Sequence, residues 1–449
     1  FRIPGAKING SGTISTVGAF RGKWVVVLIA AAALALPRAE AYAAALYDEL
    51  GDLVKNQKQI QAAEADLKAA QERAESAWAK WYPTLSVTGN YGHERQNNTT
   101  GTASTVGVPR ELDLSVTQQI WDFGSTNANI RRARLQVDRA RANLQSARQS
   151  VILQGIEAYL GVLRAKKVLN FAEGSVANIR RQAELEDSRV QRGGGFTTDV
   201  LQAKTQLAGA EARRNNFAGA LRNTLNTYRR FFNKDPGKIE DMRESRVPFE
   251  MLPKSLDDMI RAMHENNPGL RASKIDADIL FETVTQTKAD EFFPTINATA
   301  SEKRKSDVGG TLGNENEQLF KVELSYSLNL GMTAVNTLRA ARGDHLASTN
   351  RYIDARDAFE QQVRNQWSNL DRDRLNADFL KNQANIAGEF LELARRERQL
   401  GKRSLIDVLA GETALINANS DAAAAETDVA LDVYRLINLM GKLEADLLK

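Results

Sequence analysis

Histidine and cysteine, the side chains best suited to acid–base and nucleophilic work near neutral pH, are scarce or absent in this chain. The three histidines, His93, His264 and His345, stand far from one another, and the 449 residues include no cysteine. Disulfides, thiolate zinc sites, cysteine nucleophiles and a lipid-linked cysteine therefore have no residue to be built on. No Ser–His pattern marks a nucleophile, and no Gly-rich phosphate loop follows a strand. An enzyme is not expected, and no catalytic, cofactor or metal residue is assigned. The chain is organised instead around one turn, Gly401-Lys402-Arg403-Ser404-Leu405-Ile406-Asp407-Val408-Leu409. A relative of it occurs earlier, Gly193-Gly194-Gly195-Phe196-Thr197-Thr198-Asp199-Val200-Leu201. Arg403 and Asp407 in the later turn and Asp199 in the earlier are charged groups able to pair, and Thr198 adds a hydroxyl beside Asp199. Ser404-x-x-Asp407 is also a helix-start capping pattern, which by itself would account for Asp407.

The two Asp-Val-Leu signatures lie 208 residues apart (199 to 407), and Pro83-Thr84 recurs at Pro294-Thr295. The chain is a duplication. Residues 44–235 form repeat one and 256–449 repeat two, each reading helix, β-hairpin, long helix, helix. A Pro-containing connection, 236–255, joins them. At the N-terminus, Lys7, Arg21 and Lys23 precede an apolar run, Trp24 to Leu36, and small residues follow. Residues 1–43 are expected to hold a signal peptide cleaved near Ala41 or Ala43, hence export.

Within each repeat, two alternating segments flank a polar loop. Leu85 and Val87, then Leu112, Leu114 and Val116, alternate with polar residues, as do Phe320, Val322, Leu324 and Tyr326. These nine are expected to face lipid. The loop between the last two strands is placed at about Lys303 to Gln318, and the last strand at Phe320 to Leu330. That length suits a tilted transmembrane strand. Aromatic residues (Trp78, Trp81, Tyr82, Trp121, Phe123, Phe292, Phe293) gather at one end of the strands, where an interfacial girdle belongs.

No proline interrupts Ser125 to about Arg192, a predicted helix of about 100 Å at 1.5 Å per residue. Ile130, Val137, Leu144 and Val151 keep a heptad, and the register recurs at Leu338, His345, Tyr352 and Phe359. Helices this long cannot fold into one core and must lie along other long helices. The class is an α+β membrane protein. Four strands cannot close, and open edges in lipid leave backbone groups unpaired, so several chains must share one barrel. The balance of charge, net +4 with 26% charged residues, argues against nucleic-acid binding.

Over essentially its whole mature length the chain resembles the TolC family of outer-membrane channel-tunnels. The residues carrying the resemblance are Asn267-Pro268, Tyr82-Pro83, Phe293-Pro294, Trp121-Asp122-Phe123-Gly124 and the two turns. The resemblance implies a homotrimer with a twelve-stranded barrel continued by an α-helical coiled-coil barrel through the periplasm. It implies a passive conduit in a tripartite export system, with a periplasmic membrane-fusion adaptor and an inner-membrane ABC or other energised transporter. The expected location is the outer membrane of a Gram-negative bacterium. By the same resemblance Arg403 falls on a tip arginine, Asp199 and Thr198 on its partners, and Asp407 on a pore-lining aspartate. Ala410 stands where a second ring aspartate occurs, which implies a less negative entrance. Asn56-Gln57 replaces Asn-Pro, which implies a less sharply bent first helix. The later turn is most similar to members serving type I secretion; small-molecule efflux is the other use. The reading from a different class is a periplasmic adaptor or structural coiled-coil protein.

Overall fold

A computed structural model describes residues 46–96, 105–237, 239–243 and 246–445. The expected signal peptide, 1–43, lies outside the described residues. Repeat one contains α1 (Leu46–Asn56), α2 (Lys58–Trp78), β1 (Thr84–Tyr91), β2 (Glu94–Gln96), β3 (Thr105–Gly107), β4 (Arg110–Trp121), α3 (Ser125–Gln191) and α4 (Thr197–Phe232). Repeat two contains α5 (Leu256–Asn266), α6 (Pro268–Phe292), β5 (Thr295–Ser306), β6 (Asn314–Ser325), α7 (Thr333–Gln399) and α8 (Leu405–Leu439). Both long helices have 67 residues, about 100 Å each. The homologous structures in the two halves are helix-rich tandem repeats of equal plan.

The first-helix expectation needs correcting. Gln57 interrupts the helix just as Asn267 does, with extended backbone at both (φ −74°, ψ 125°; φ −64°, ψ 118°). The Gln57 side chain accepts from Lys58 N and donates to the Phe231 carbonyl at 3.3 Å. Asn267 accepts from Leu270 N and donates to the Leu439 carbonyl at 2.9 Å. The two carbonyls are 208 residues apart, so an amide side chain keeps the break without the proline.

The principal core sits at this level, where α1, α3, α4, α5 and α8 converge on Leu50, Leu53, Ile156, Tyr159, Tyr228, Met259 and Tyr434. Gly155 lets α1 approach α3 closely, since a Cβ there would meet Leu53 Cδ1 at 2.9 Å and Leu50 Cδ2 at 3.0 Å. The buried phenol of Tyr228 donates to Glu49 at 2.7 Å, and burial together with that acceptor holds its pKa far above the ordinary tyrosine value. The expected seam residues Ile130, Val137, Leu144 and Val151 are buried, as is Leu338. His345 packs at the seam, its ring against Phe281 and its Nδ1 3.2 Å from the Ala277 carbonyl.

One four-stranded antiparallel sheet runs β1-β4-β5-β6. The last hairpin differs from expectation. Its connection is 307–313, and β6 spans Asn314–Ser325, so Tyr326, Leu328 and Leu330 lie beyond the strand. Residues read as a polar loop are strand because their charges pair across it: Lys305 with Glu317 at 3.0 Å and Lys303 with Asp113 at 3.4 Å. The first polar loop likewise contains the short β2–β3 hairpin.

Candidate functional site: the sheet face and the hairpin tips

Register sorts the sheet into two unlike faces. Leu85, Val116, Ala300 and Phe320 lie in one cross-strand row, and Val87 pairs with Leu114 in the next. Leu112, Val322 and Leu324 share their parity, so eight of the nine expected residues fall on one face. Tyr326, past the end of β6, is the exception. The eight are exposed in the single chain. The opposite face carries Thr117 against Thr299 (3.4 Å), Ser115 against Ser301, and the ion pairs just described. A register shift between Gln119 and Trp121 sets Trp121 opposite Ile296, which returns the tryptophan to the apolar parity.

At the helical end of the sheet the aromatics gather as expected. Phe123 stacks on Phe293 at 5.0 Å and meets Trp121 edge-on at 6.2 Å. Asp122 is buried and starts α3: its carboxylate accepts from Thr126 N at 2.6 Å, Gly124 N at 3.1 Å and Gln119 Nε2 at 2.8 Å.

At the far end, both long helices stop in the same way. Gly193 and Gly401 adopt φ +79° and +74°. Gly193 N donates to Val190 O and Gly194 N to Arg189 O; Gly401 N and Lys402 N repeat this with Arg398 O and Glu397 O. Ser404 then caps α8, its Oγ accepting from Asp407 N at 3.3 Å. Phe196, the equivalent residue, makes no side-chain cap.

The charges at the tips pair differently from expectation. Within the chain Arg403 does not reach Asp199 or Thr198. Its Nε donates to Glu397 at 2.6 Å, its Nη1 is 3.6 Å from Asp407, and its guanidinium lies 5.5 Å from the Phe390 ring centre. Glu397 raises the Arg403 pKa further above its ordinary value. Thr198 is exposed at the start of α4. The cation beside Asp199 is Arg398, 3.5 Å away, and the same Nη2 donates at 3.0 Å to Glu186, which is 2% exposed. Arg189 also donates to Glu186 at 3.0 Å. Asp199 and Asp407 thus occupy equivalent places but meet different arginines. Asp199 is tied across the two hairpins, and Asp407 within one. Reaching across is sterically natural for Arg398, which lies on α7 facing α3; Arg403 is past the turn and folds back on its own hairpin.

Sequence reasoning missed Arg398 and Glu186, although the duplication held a signal. Their repeat-equivalents are Val190 and Ala394, so each copy carries one charge where the other copy is apolar.

Among the described residues no helix is long and apolar enough to cross a membrane. The apolar sheet face is the remaining membrane-facing candidate. The model of the family described as "Outer membrane efflux protein" matches residues 50–233 and 259–442, one segment in each repeat. The chain is 26% identical over 427 residues to the outer membrane efflux protein BepC of Brucella suis, covering 93% of this chain and 91% of that one. It is 25% identical to the alkaline protease secretion protein AprF of Pseudomonas aeruginosa, over 92% of this chain and 88% of that one. The outer membrane protein VceC of Vibrio cholerae has the same fold, with a TM-score of 0.75 at 17% identity, over 88% of this chain and 96% of that one. These relatives are named as outer-membrane, efflux or secretion proteins and not as periplasmic adaptors. With one match in each repeat and related proteins over nearly its full length, the chain belongs to the outer membrane efflux protein family, the TolC-like channels of the Gram-negative outer membrane.

Proposed function

We propose that three copies of this chain close a twelve-stranded barrel continued by a coiled-coil tunnel, a passive conduit for export across the outer membrane. The carrying observation is the sheet: one apolar exposed face, one polar face, and two edge strands, β1 and β6, each with one side unpaired among the described residues. An edge open to lipid costs several kcal/mol per unpaired backbone group, so β6 of one copy pairs with β1 of the next. The eight apolar residues then face lipid, and the Thr, Ser and ion-pair rows line a wet lumen. The slant of the apolar band supports closure. It is centred near Leu114 on β4 but near Val322 on β6, whose register partner on β4 is Gln118. Three to four residues of drift over two to three strand steps is a tilt on the order of 45°, as barrels require.

The helices complete the tunnel, with an exposed heptad row on α7 packing on a neighbouring copy. At the tips, Asp199, Thr198, Asp407 and Arg403, now joined by Arg398 and Glu186, form the gate. A periplasmic adaptor and an energised inner-membrane transporter supply opening and energy. We favour type I protein secretion, supported by the later turn and by a relative named for protease secretion; BepC is named for efflux. The test is purification from outer-membrane fractions. A trimer that dissociates on heating in detergent, and discrete conductance in planar bilayers, are expected. A monomer without conductance overturns the reading.

A further inference from the structure

Above the apolar band, the same face of the sheet changes chemistry abruptly. The next rows place Arg304 beside Leu112 and Asn316, then Arg110 beside Tyr91, Ser306 and Asn314. These residues share the parity of Leu85, Val116 and Phe320, so they project to the outside of the sheet. The Arg110 guanidinium lies over the Tyr91 ring at 5.7 Å. Arg304 donates through Nε and Nη2 to Glu302, one row nearer the band, at 3.0 and 2.8 Å, while its side chain stays 66% exposed. Tyr91, Arg110, Leu112, Arg304, Asn314 and Asn316 surround a shallow recess of about 620 Å³. Glu111 and Lys305, of opposite parity, also border the recess, and Lys305 is taken up by Glu317.

We propose that this recess holds the phosphorylated headgroup of a lipid of the outer leaflet, a site that rests on the barrel reading above. Its place selects the ligand. A group seated there has its acyl chains beside Leu112 and Leu114 and its polar head level with the two arginines. The planar guanidinium forks match phosphate oxygens. Asn314 and Asn316 add amide donors, and a tyrosine at this height is suited to the membrane–water boundary. Glu302 holds the Nε–Nη2 edge of Arg304 from below, which leaves the outer Nη1–Nη2 end of the guanidinium for a ligand at the rim. The opposite end of the sheet carries aromatic residues on this face and no such arginine pair, so the site is specific to one leaflet. Three copies would give three equivalent sites around the barrel.

The test uses the full chain, purified and mixed with vesicles of zwitterionic phospholipid. Flotation first checks entry into the bilayer. The vesicles are then doped with a diphosphorylated acyl-glucosamine lipid, and the melting temperature of the assembled channel is followed against dose. The wild-type melting temperature should rise with dose. The Arg110→Gln/Arg304→Gln variant should need roughly 25-fold more lipid for the same rise, about fivefold per arginine. Arg304→Lys, which keeps the charge but loses the fork, should fall between. The dephosphorylated lipid, and inorganic phosphate in solution, should give no rise. A double variant that floats and responds like the wild type overturns the site, as does an equal rise with phosphate alone. Wild-type protein that floats without any response to the lipid overturns the site and leaves the barrel standing. Failure of the wild type to float overturns both.

Discussion

Helices α3 and α7 are repeat-equivalents of identical length, yet 25 residues of α3 are buried and only 8 of α7. The difference is one of neighbours. Helix α3 packs on α2, α4, α6 and α8, whereas α7 packs mainly on α6 and α8. On the uncovered side of α7, Phe379, Ile386, Leu393 and Leu400 recur every seventh residue at 57–71% exposure. A heptad row is what a helix presents to a partner helix, and among the described residues none packs on this side. Duplication therefore conserved length and register but not environment. The inner copy became the spine of the chain, and the outer copy kept an apolar seam that suits another copy.

The largest effect is expected where the equality itself is broken. Deleting Val137 to Asn143 alone removes two turns from α3 and displaces every later contact with α8 and α4. No trimer should form, as read by heat-dependent migration in detergent. Deleting His345 to Arg351 as well restores matched lengths, and assembly should return with a tunnel shorter by about 10 Å, measurable by electron microscopy. Trimers from the single deletion would break the view that the two copies form one matched cylinder.

Next in size are substitutions that separate a spine from a seam. Ile156→Ala, in the fully buried middle of α3, should cost about 2–5 kcal/mol in denaturant unfolding. Phe379→Asp or Ile386→Asp, on the open side of α7, should leave the folded monomer intact and reduce trimer yield. If Ile386→Asp lowers monomer stability as much as Ile156→Ala, the contrast between the helices is false.

The sheet repeats the contrast between its faces. Val322→Arg places a charge in the apolar band, at a cost of roughly 2–4 kcal/mol near a bilayer midplane. Thr299→Arg, on the other face beside Thr117, should be tolerated. Yields in purified outer membranes measure both, and equal losses would count against the assignment of faces.

Much of this was legible because duplication and period are carried by many residues at once. The 3.5-residue seam of Ile130, Val137, Leu144 and Val151, and the alternation of Leu112 to Val116, survive local exceptions. What failed were places where two chain segments must meet before a residue makes sense. The stretch Asn314 to Gln318 reads as loop until Lys305 is found paired diagonally with Glu317 across the hairpin. Gln57 looks like a poor substitute for a proline until its amide is found on the Phe231 carbonyl. At the tip the pairing within the chain needs correcting for the same reason, since proximity in the turn favours Arg403 whereas the helix face of α7 delivers Arg398 to Asp199.

That last correction yields the smallest but most discriminating expectation. Arg398 bridges the hairpins, from α7 to Glu186 on α3 and Asp199 on α4. Removing it leaves buried Glu186 with Arg189 alone, so Arg398→Ser should cost about 1–3 kcal/mol in stability and raise single-channel conductance by loosening the contact between hairpins. Arg403→Ser removes half-buried contacts with Glu397, Asp407 and the Phe390 ring inside one hairpin, leaves no buried charge unpaired, and should alter stability less than Arg398→Ser. Any rise in conductance it causes must come through neighbouring copies. Asp199→Ala distinguishes the two arginines by coupling. Combined with Arg398→Ser it should raise conductance by less than the sum of the single effects, because both remove the same bridge. Combined with Arg403→Ser the effects should add. The reverse pattern, additive with Arg398 and coupled with Arg403, would mean that the link to Asp199 is made by Arg403 of an adjacent copy, and that Arg398 serves only to hold Glu186.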